Sequence, residues 1–379
     1  MLVLALDAIH QWSPNAKLVV VACRLPNDQD STCGRECARG LDDGGLARSR
    51  DDGEGGSEVL IRTGVQASPC RSEEVQAVNI TKRFLLVLFA VFLASVVVMG
   101  TAIDHATAWS QDTAAVRTVG TAKALDGVEI RYEAAGSGEP ALLFVHGWSC
   151  DRSYWRAQTD HFAASHRVVA IDLGGHGESG LGRKDWTMAA FGGDVRAVVE
   201  ALGLRKVVLV GHSMGGHVIA EAAQLMPDRV AALVLVDTFK DVDRRMSAED
   251  LERFLAPMRA DFRRTTEAWV RRNMFVGHSD PKLVERIATD MADGPPAVGL
   301  SAMENIRRYD EGAALAVVRA PVRLINADLS LTNLGAARRR KPDVSLAVMP
   351  GVGHFLMMED PDEFNRLLAR AVKELLATR

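Results

Sequence analysis

One serine at the tip of a glycine-lined turn constrains this chain more than any other feature. Residues 207–223 read VVLVGHSMGGHVIAEAA. Val207 to Val210 have strand propensity, and the residues after the turn have a helical apolar pattern. The order is therefore strand, sharp turn, helix. Glycines at 211 and 215 remove bulk where strand and helix approach, so the Ser213 hydroxyl is pushed away from the backbone towards solvent at the strand end. The backbone N–H of Met214 points into the same space. His212 projects elsewhere and is expected to support the elbow.

The same grammar recurs along the chain. GVEIRYEAAG at 127–136, PALLFVHGW at 140–148, HRVVAIDLGGHGESG at 166–180 and RVAALVLVDTF at 229–239 read as strands running into loops, and 188–203 reads as a helix. Strands separated by helices predict an α/β fold with helices on both faces of the sheet. Residues 240–319 break the rhythm with polar helical segments, including one over 247–275, and are expected to form an inserted helical cap. Strand and loop return at 321–330 and 344–355. The chain closes on a helix with Asp360 as N-cap, Pro361 at its first position, and an apolar face from Phe364 to Leu375.

A serine hydroxyl needs a base, because at neutral pH it is almost wholly protonated. His354 in PGVGHF follows the last strand and is the candidate. A developing oxyanion needs donors, and the amide of Trp148 in HGWSC can face that of Met214. His146 is expected to brace that loop, and Cys150 is not placed as a rival nucleophile. The acid is open between two carboxylates. Asp328 lies in the loop INADLS, and Asp237 ends the neighbouring strand in LVLVDTF.

FVHGW, IDLGGHGESG, VGHSMGG, INAD and PGVGHF, in that order, together resemble the α/β-hydrolase family, in its serine esterase and lipase branch with a cap. The resemblance covers about residues 125–379. It implies Ser213 as nucleophile, His354 as base, Trp148 and Met214 as oxyanion donors, and Asp172 and Ser179 as stabilisers of the loop after the strand preceding the nucleophile strand. The chain departs from the family's usual G-x-x-D acid loop, since Ser330 stands at the common acid position and Asp237 then rivals Asp328. Dehalogenase and epoxide hydrolase relatives use an aspartate nucleophile, which Ser213 argues against.

The expected function is hydrolysis of a small, apolar carboxylic ester through an acyl-enzyme, with no cofactor and no metal. Carbon–carbon bond, lactone or perhydrolase chemistry on the same residues is the alternative within the enzyme class. A non-catalytic ligand-binding protein of the same fold is the alternative outside it. A net charge of −4 gives no basic footprint for nucleic acid, although Arg338 to Lys341 form a local basic run. Oligomeric state has no sequence signal here.

The N-terminal part is different in kind. Residues 1–80 are rich in charge and glycine without periodicity and are expected to be a low-order leader, or to precede the true start. They hold Cys23, Cys33, Cys37 and Cys70, whose spacing is not a clean zinc pattern. Phe84 to Ile103 carries no charge and follows Lys82 and Arg83, so 81–108 is expected to be a signal peptide or a transmembrane signal anchor. Ala106-Thr107-Ala108 would suit cleavage near Trp109. Either outcome puts the hydrolase domain, 109–379, outside the cytoplasm. Only Cys150 remains in it, too few for an internal disulfide.

Overall fold

The computed structural model describes residues 116–377. Eight strands, β1 (Thr118–Lys123), β2 (Glu129–Ala135), β3 (Ala141–Val145), β4 (Val168–Ile171), β5 (Val207–His212), β6 (Val230–Val236), β7 (Val322–Ala327) and β8 (Ser345–Met349), form one sheet. Their order is β1-β2-β4-β3-β5-β6-β7-β8. β2 runs antiparallel to both of its neighbours, and every other pair is parallel. The central strands ALLFV, VVLVGH and VAALVLV are buried at every position. A strand covered on both faces has no solvent side, which is why these segments read as unbroken apolar runs.

Helices cover both faces. α1 (Arg156–Phe162), α2 (Met188–Ala201) and α3 (Met214–Leu225) follow β3, β4 and β5 in turn. α2 packs on α3. Between β6 and β7 lie five cap helices: α4 (Ala248–Ala260), α5 (Phe262–Asn273), α6 (Pro281–Ala292), α7 (Pro296–Arg308) and α8 (Glu311–Val317). The expected single helix over 247–275 is broken at Asp261. That residue adopts extended backbone, and its side chain caps the next helix by accepting from Arg264 N at 3.1 Å. α9 (Leu334–Arg340), α10 (Leu356–Glu359) and α11 (Pro361–Ala377) complete the chain. Asp360 accepts from Glu363 N at 3.1 Å, and α11 buries Phe364, Leu368, Ala371, Val372 and Leu375 against β6, β7 and β8.

This topology places the site. β4 lies on one side of β3 and β5 on the other, so the winding reverses there and the carboxyl ends of β3 and β5 border a crevice. His146 to Trp148 leave β3 at that edge, Ser213 leaves β5, Asp237 leaves β6, and the loop carrying His354 follows β8.

Two expectations are corrected here. No helix among the described residues is long and apolar enough to cross a membrane. The longest, α11, has 17 residues with one polar face, short of the roughly 20 apolar residues a span needs. The membrane, transmembrane and signal-peptide expectation, and the placement outside the cytoplasm that rested on it, are therefore not upheld. The 1–80 leader and the 81–108 segment themselves lie outside the described residues. The basic run is paired within the fold. Arg339 and Arg340 both pair with Asp243, at 2.7 and 2.9 Å, Lys341 pairs with Asp343 at 3.0 Å, and Arg338 donates to the Val344 carbonyl.

Candidate active site

The elbow has no room for side chains at its glycines. A Cβ at Gly211 would lie 2.3 Å from the Gly215 carbonyl oxygen, and one at Gly215 would lie 2.4 Å from that of Val145. Both clashes are with backbone, which cannot step aside. Ser213 itself sits at φ 53°, ψ −117°, a region that costs a non-glycine residue about 1–3 kcal/mol and persists only when its surroundings impose it. Its N–H donates to the Val236 carbonyl at 2.8 Å, tying the turn to β6. Met214 opens α3, so its amide has no intrahelical acceptor. Gly215→Ala is expected to lose at least about 3 kcal/mol of stability by urea titration. A loss under about 1 kcal/mol would contradict the packing described.

His354 meets Asp237. Its Nδ1–H donates to Asp237 Oδ2 at 2.6 Å, which leaves Nε2 as the basic nitrogen. Asp237 is buried and is held from three sides. Its Oδ1 accepts from Ala327 N at 2.8 Å and from Lys240 Nζ at 2.9 Å. Burial acts to raise the carboxyl, but the hydrogen bond and charge of His354 together with the Lys240 ammonium outweigh it and keep the group below the usual carboxylate range. Asp328 is elsewhere. Its exposed Oδ1 accepts from Gly351 N at 2.9 Å and so ties the loop after β7 to the loop after β8.

The loop carrying His354 is held by His212 and by the cap. His212 Nε2–H donates to the His354 carbonyl at 2.9 Å, and the His354 N–H donates to the Met274 carbonyl at 2.7 Å. His278 of the cap bonds the Gly351 carbonyl at 2.8 Å. His212 thus holds the loop that carries His354.

On the other side, the Gly147 backbone packs on Ser213: a Cβ at Gly147 would lie 3.3 Å from Ser213 Cβ. His146 fixes this loop. Its Nε2 accepts from Leu173 N at 3.0 Å, so Nδ1 carries the proton and donates to the Gly147 carbonyl at 2.8 Å. Holding that carbonyl fixes the plane of the peptide whose N–H belongs to Trp148. Beneath it, Asp172 accepts from the amides of Arg152 and Glu178 and pairs with the Arg152 side chain, while Ser179 donates to the Asp172 carbonyl. Burial pushes the Cys150 thiol well up, so it stays protonated.

Three buried histidines make stability pH-dependent. Burial pushes His146 down to about 4 and His176 and His212 to about 3. The unfolded chain, with histidines near 6.5, then binds more protons than the folded one between those values. Their contribution is complete above about pH 6.5 and is lost as pH falls towards the folded values. At pH 5 each loses at most about 2 kcal/mol. Asp172 and Asp194, raised chiefly by burial, act in the opposite sense at lower pH. The unfolding free energy is expected to drop by several kcal/mol between pH 7 and pH 5. A flat profile would contradict neutral, buried imidazoles.

Ser213, His354, Asp237 and Trp148 line one cavity of about 370 Å³ between sheet and cap. Trp269, Met274, Met291, Met303 and Phe355 give it apolar walls. Trp148 also ties the cap down, donating from its indole to the Gly299 carbonyl at 2.7 Å and meeting Phe262 and Trp269 edge-on.

Residues 140–361 match the family described as alpha/beta hydrolase fold, which is more than half of the chain. The chain belongs to the α/β-hydrolase family. It is similar to a thermophilic esterase from Thermogutta terrifontis, with a TM-score of 0.61 and 27% identity over 69% of this chain and 99% of that one. It is also similar to the dihydrolipoyllysine-residue acetyltransferase component of the acetoin cleaving system in two organisms. For Cupriavidus necator the identity is 38% over 30% of each chain, and for Pseudomonas putida 27% over 62% of this chain and 64% of that one. The match thus spans less than two thirds of these curated relatives' own length. Fold and relatives together point to hydrolase activity.

Within this α/β-hydrolase, several site residues had no local signal. Lys240 is three positions after Asp237 and looks like any surface lysine. Asn326 bonds both the amide and the carbonyl of Thr238, joining the ends of β6 and β7. His217 and Arg307, from α3 and α7, line the cavity and are invisible without knowing which helix faces it. Among the apolar cap residues, Trp269 and Met274 reach the cavity, whereas Leu255, Met258 and Phe262 pack in the core without lining it.

Proposed function

We propose that the protein is a serine hydrolase that cleaves a small carboxylic ester through an acyl-enzyme. The hydrogen bond of 2.6 Å between His354 and Asp237, in a cavity that Ser213 also lines, carries this reading. His354 Nε2 takes the proton as Ser213 Oγ attacks the ester carbonyl. The oxyanion is met by the amides of Trp148 and Met214. The tetrahedral species collapses as His354 returns that proton to the departing alkoxide, leaving the acyl group on Ser213. Water, deprotonated by His354, attacks the acyl-enzyme, and Ser213 recovers its proton as the acid leaves. Asp237 stays ionised throughout, fixing the tautomer and stabilising the imidazolium.

The cap insertion, taken as 240–319, selects the substrate, and its methionine and tryptophan walls suit an apolar body. A common acyl-enzyme makes a definite demand. With methanol added, para-nitrophenyl and phenyl esters of one acid must partition between acid and methyl ester in the same ratio, because both pass through the same intermediate. Ratios that depend on the leaving group, or no methyl ester at all, would exclude it.

A further inference from the structure

We infer that the catalytic cavity takes a substrate bearing a carboxylate, received by Arg307 of the cap; this rests on the ester-hydrolase reading above and narrows its substrate class. Arg307 lies near the end of α7 and lines the same cavity as Ser213 and His354. Its Nε is shielded from solvent and has no hydrogen-bond partner among the described residues. It makes no ion pair there, and its guanidinium instead lies over the Phe254 ring, 4.5 Å from the centroid. A second arginine, Arg244, lines the cavity without an ion-pair partner among the described residues. Burial, and next the Arg244 charge, disfavour the Arg307 cation, while Glu311 favours it.

The other charges facing this wall are already engaged. Lys240 serves Asp237, Asp241 accepts from Asn333, and Glu311 accepts from His217 at 2.8 Å. A guanidinium cannot shed its proton at working pH, so its unpaired charge favours an anionic acceptor over water when a ligand enters. A carboxylate matches the forked pair of Nη donors of a planar guanidinium. The negative side chains of Glu311 and Asp241 in the same lining favour one charge over two, which selects a carboxylate over a phosphate dianion. The apolar walls hold the chain between this charge and the scissile ester.

Two linked measurements test this. The first compares kcat/KM for mono-para-nitrophenyl glutarate with that for para-nitrophenyl pentanoate, which has the same acyl length without the charge. The wild type is expected to favour the anionic ester by about tenfold or more, and Arg307→Met to lower that ratio by about ten- to a hundredfold. Arg307→Lys should keep part of the preference, since it retains charge but not the fork. A ratio near one, or a ratio untouched by either substitution, overturns the inference and assigns Arg307 to packing under the cap. The second measures calorimetric binding of monomethyl and dimethyl glutarate to Ser213→Ala, with and without Arg307→Met. Preference for the monoanion that depends on Arg307 supports the site even if no ester is turned over, in which case the hydrolase reading alone fails. Equal binding of the two overturns the carboxylate site while leaving the hydrolase reading intact.

Discussion

Ser213→Ala is expected to lower kcat on a para-nitrophenyl ester by about a hundred-thousandfold to a millionfold, with stability changed by less than about 1 kcal/mol. The two halves of this expectation have separate causes. Catalysis loses the atom that forms the acyl bond, and the remaining groups can only polarise the carbonyl. The fold keeps the Cβ, the same strained backbone at φ 53° and the same hydrogen bond from residue 213 N to Val236. A variant that loses activity because it unfolds would show both effects together, so urea titration beside the assay separates them. Residual activity within about tenfold of wild type would remove Ser213 from the mechanism.

The second large effect discriminates between the carboxylates. Asp237→Asn is expected to lower kcat by about a thousand- to ten-thousandfold. An asparagine can present its amide N–H to the ring, which favours the tautomer with the proton on the wrong nitrogen, and it offers no charge to the imidazolium. It also leaves Lys240 without its buried anionic partner. Asp328→Asn is expected to stay within about threefold of wild type, because that exposed side chain accepts one hydrogen bond from Gly351 N, which an amide oxygen can accept as well. Comparable losses in both variants would mean that the loop after β7 acts on the base directly.

The difference between these residues also marks where the sequence stops being legible. The elbow announces itself because its demands are local: glycine at 211 and 215, an apolar strand before and a helix after. The buried parallel strands are equally plain, since β3, β5 and β6 have no polar face to disguise them. Choosing Asp237 over Asp328 is not a local question. Both end adjacent parallel strands, and what distinguishes them is contact with Ala327 N, Lys240 and a histidine 117 positions away. The edge strand β1, TVGTAK, escapes for another reason. It buries only Ala122 fully, so it presents no apolar run. Arg338 to Lys341 read only as a basic run, and the pairing of Arg339 and Arg340 with Asp243 is visible only in the fold. Charge runs carry information about a surface only after their partners are known.

The most direct test of the central claim, that Ser213 is an activated nucleophile served by His354 and Asp237, is the intact mass of the protein after treatment with a fluorophosphonate ester. The wild type and Asp328→Asn should gain one adduct, Asp237→Asn should gain it far more slowly, and Ser213→Ala should gain none. No adduct on folded wild type, or an adduct that persists in Ser213→Ala, would contradict the account.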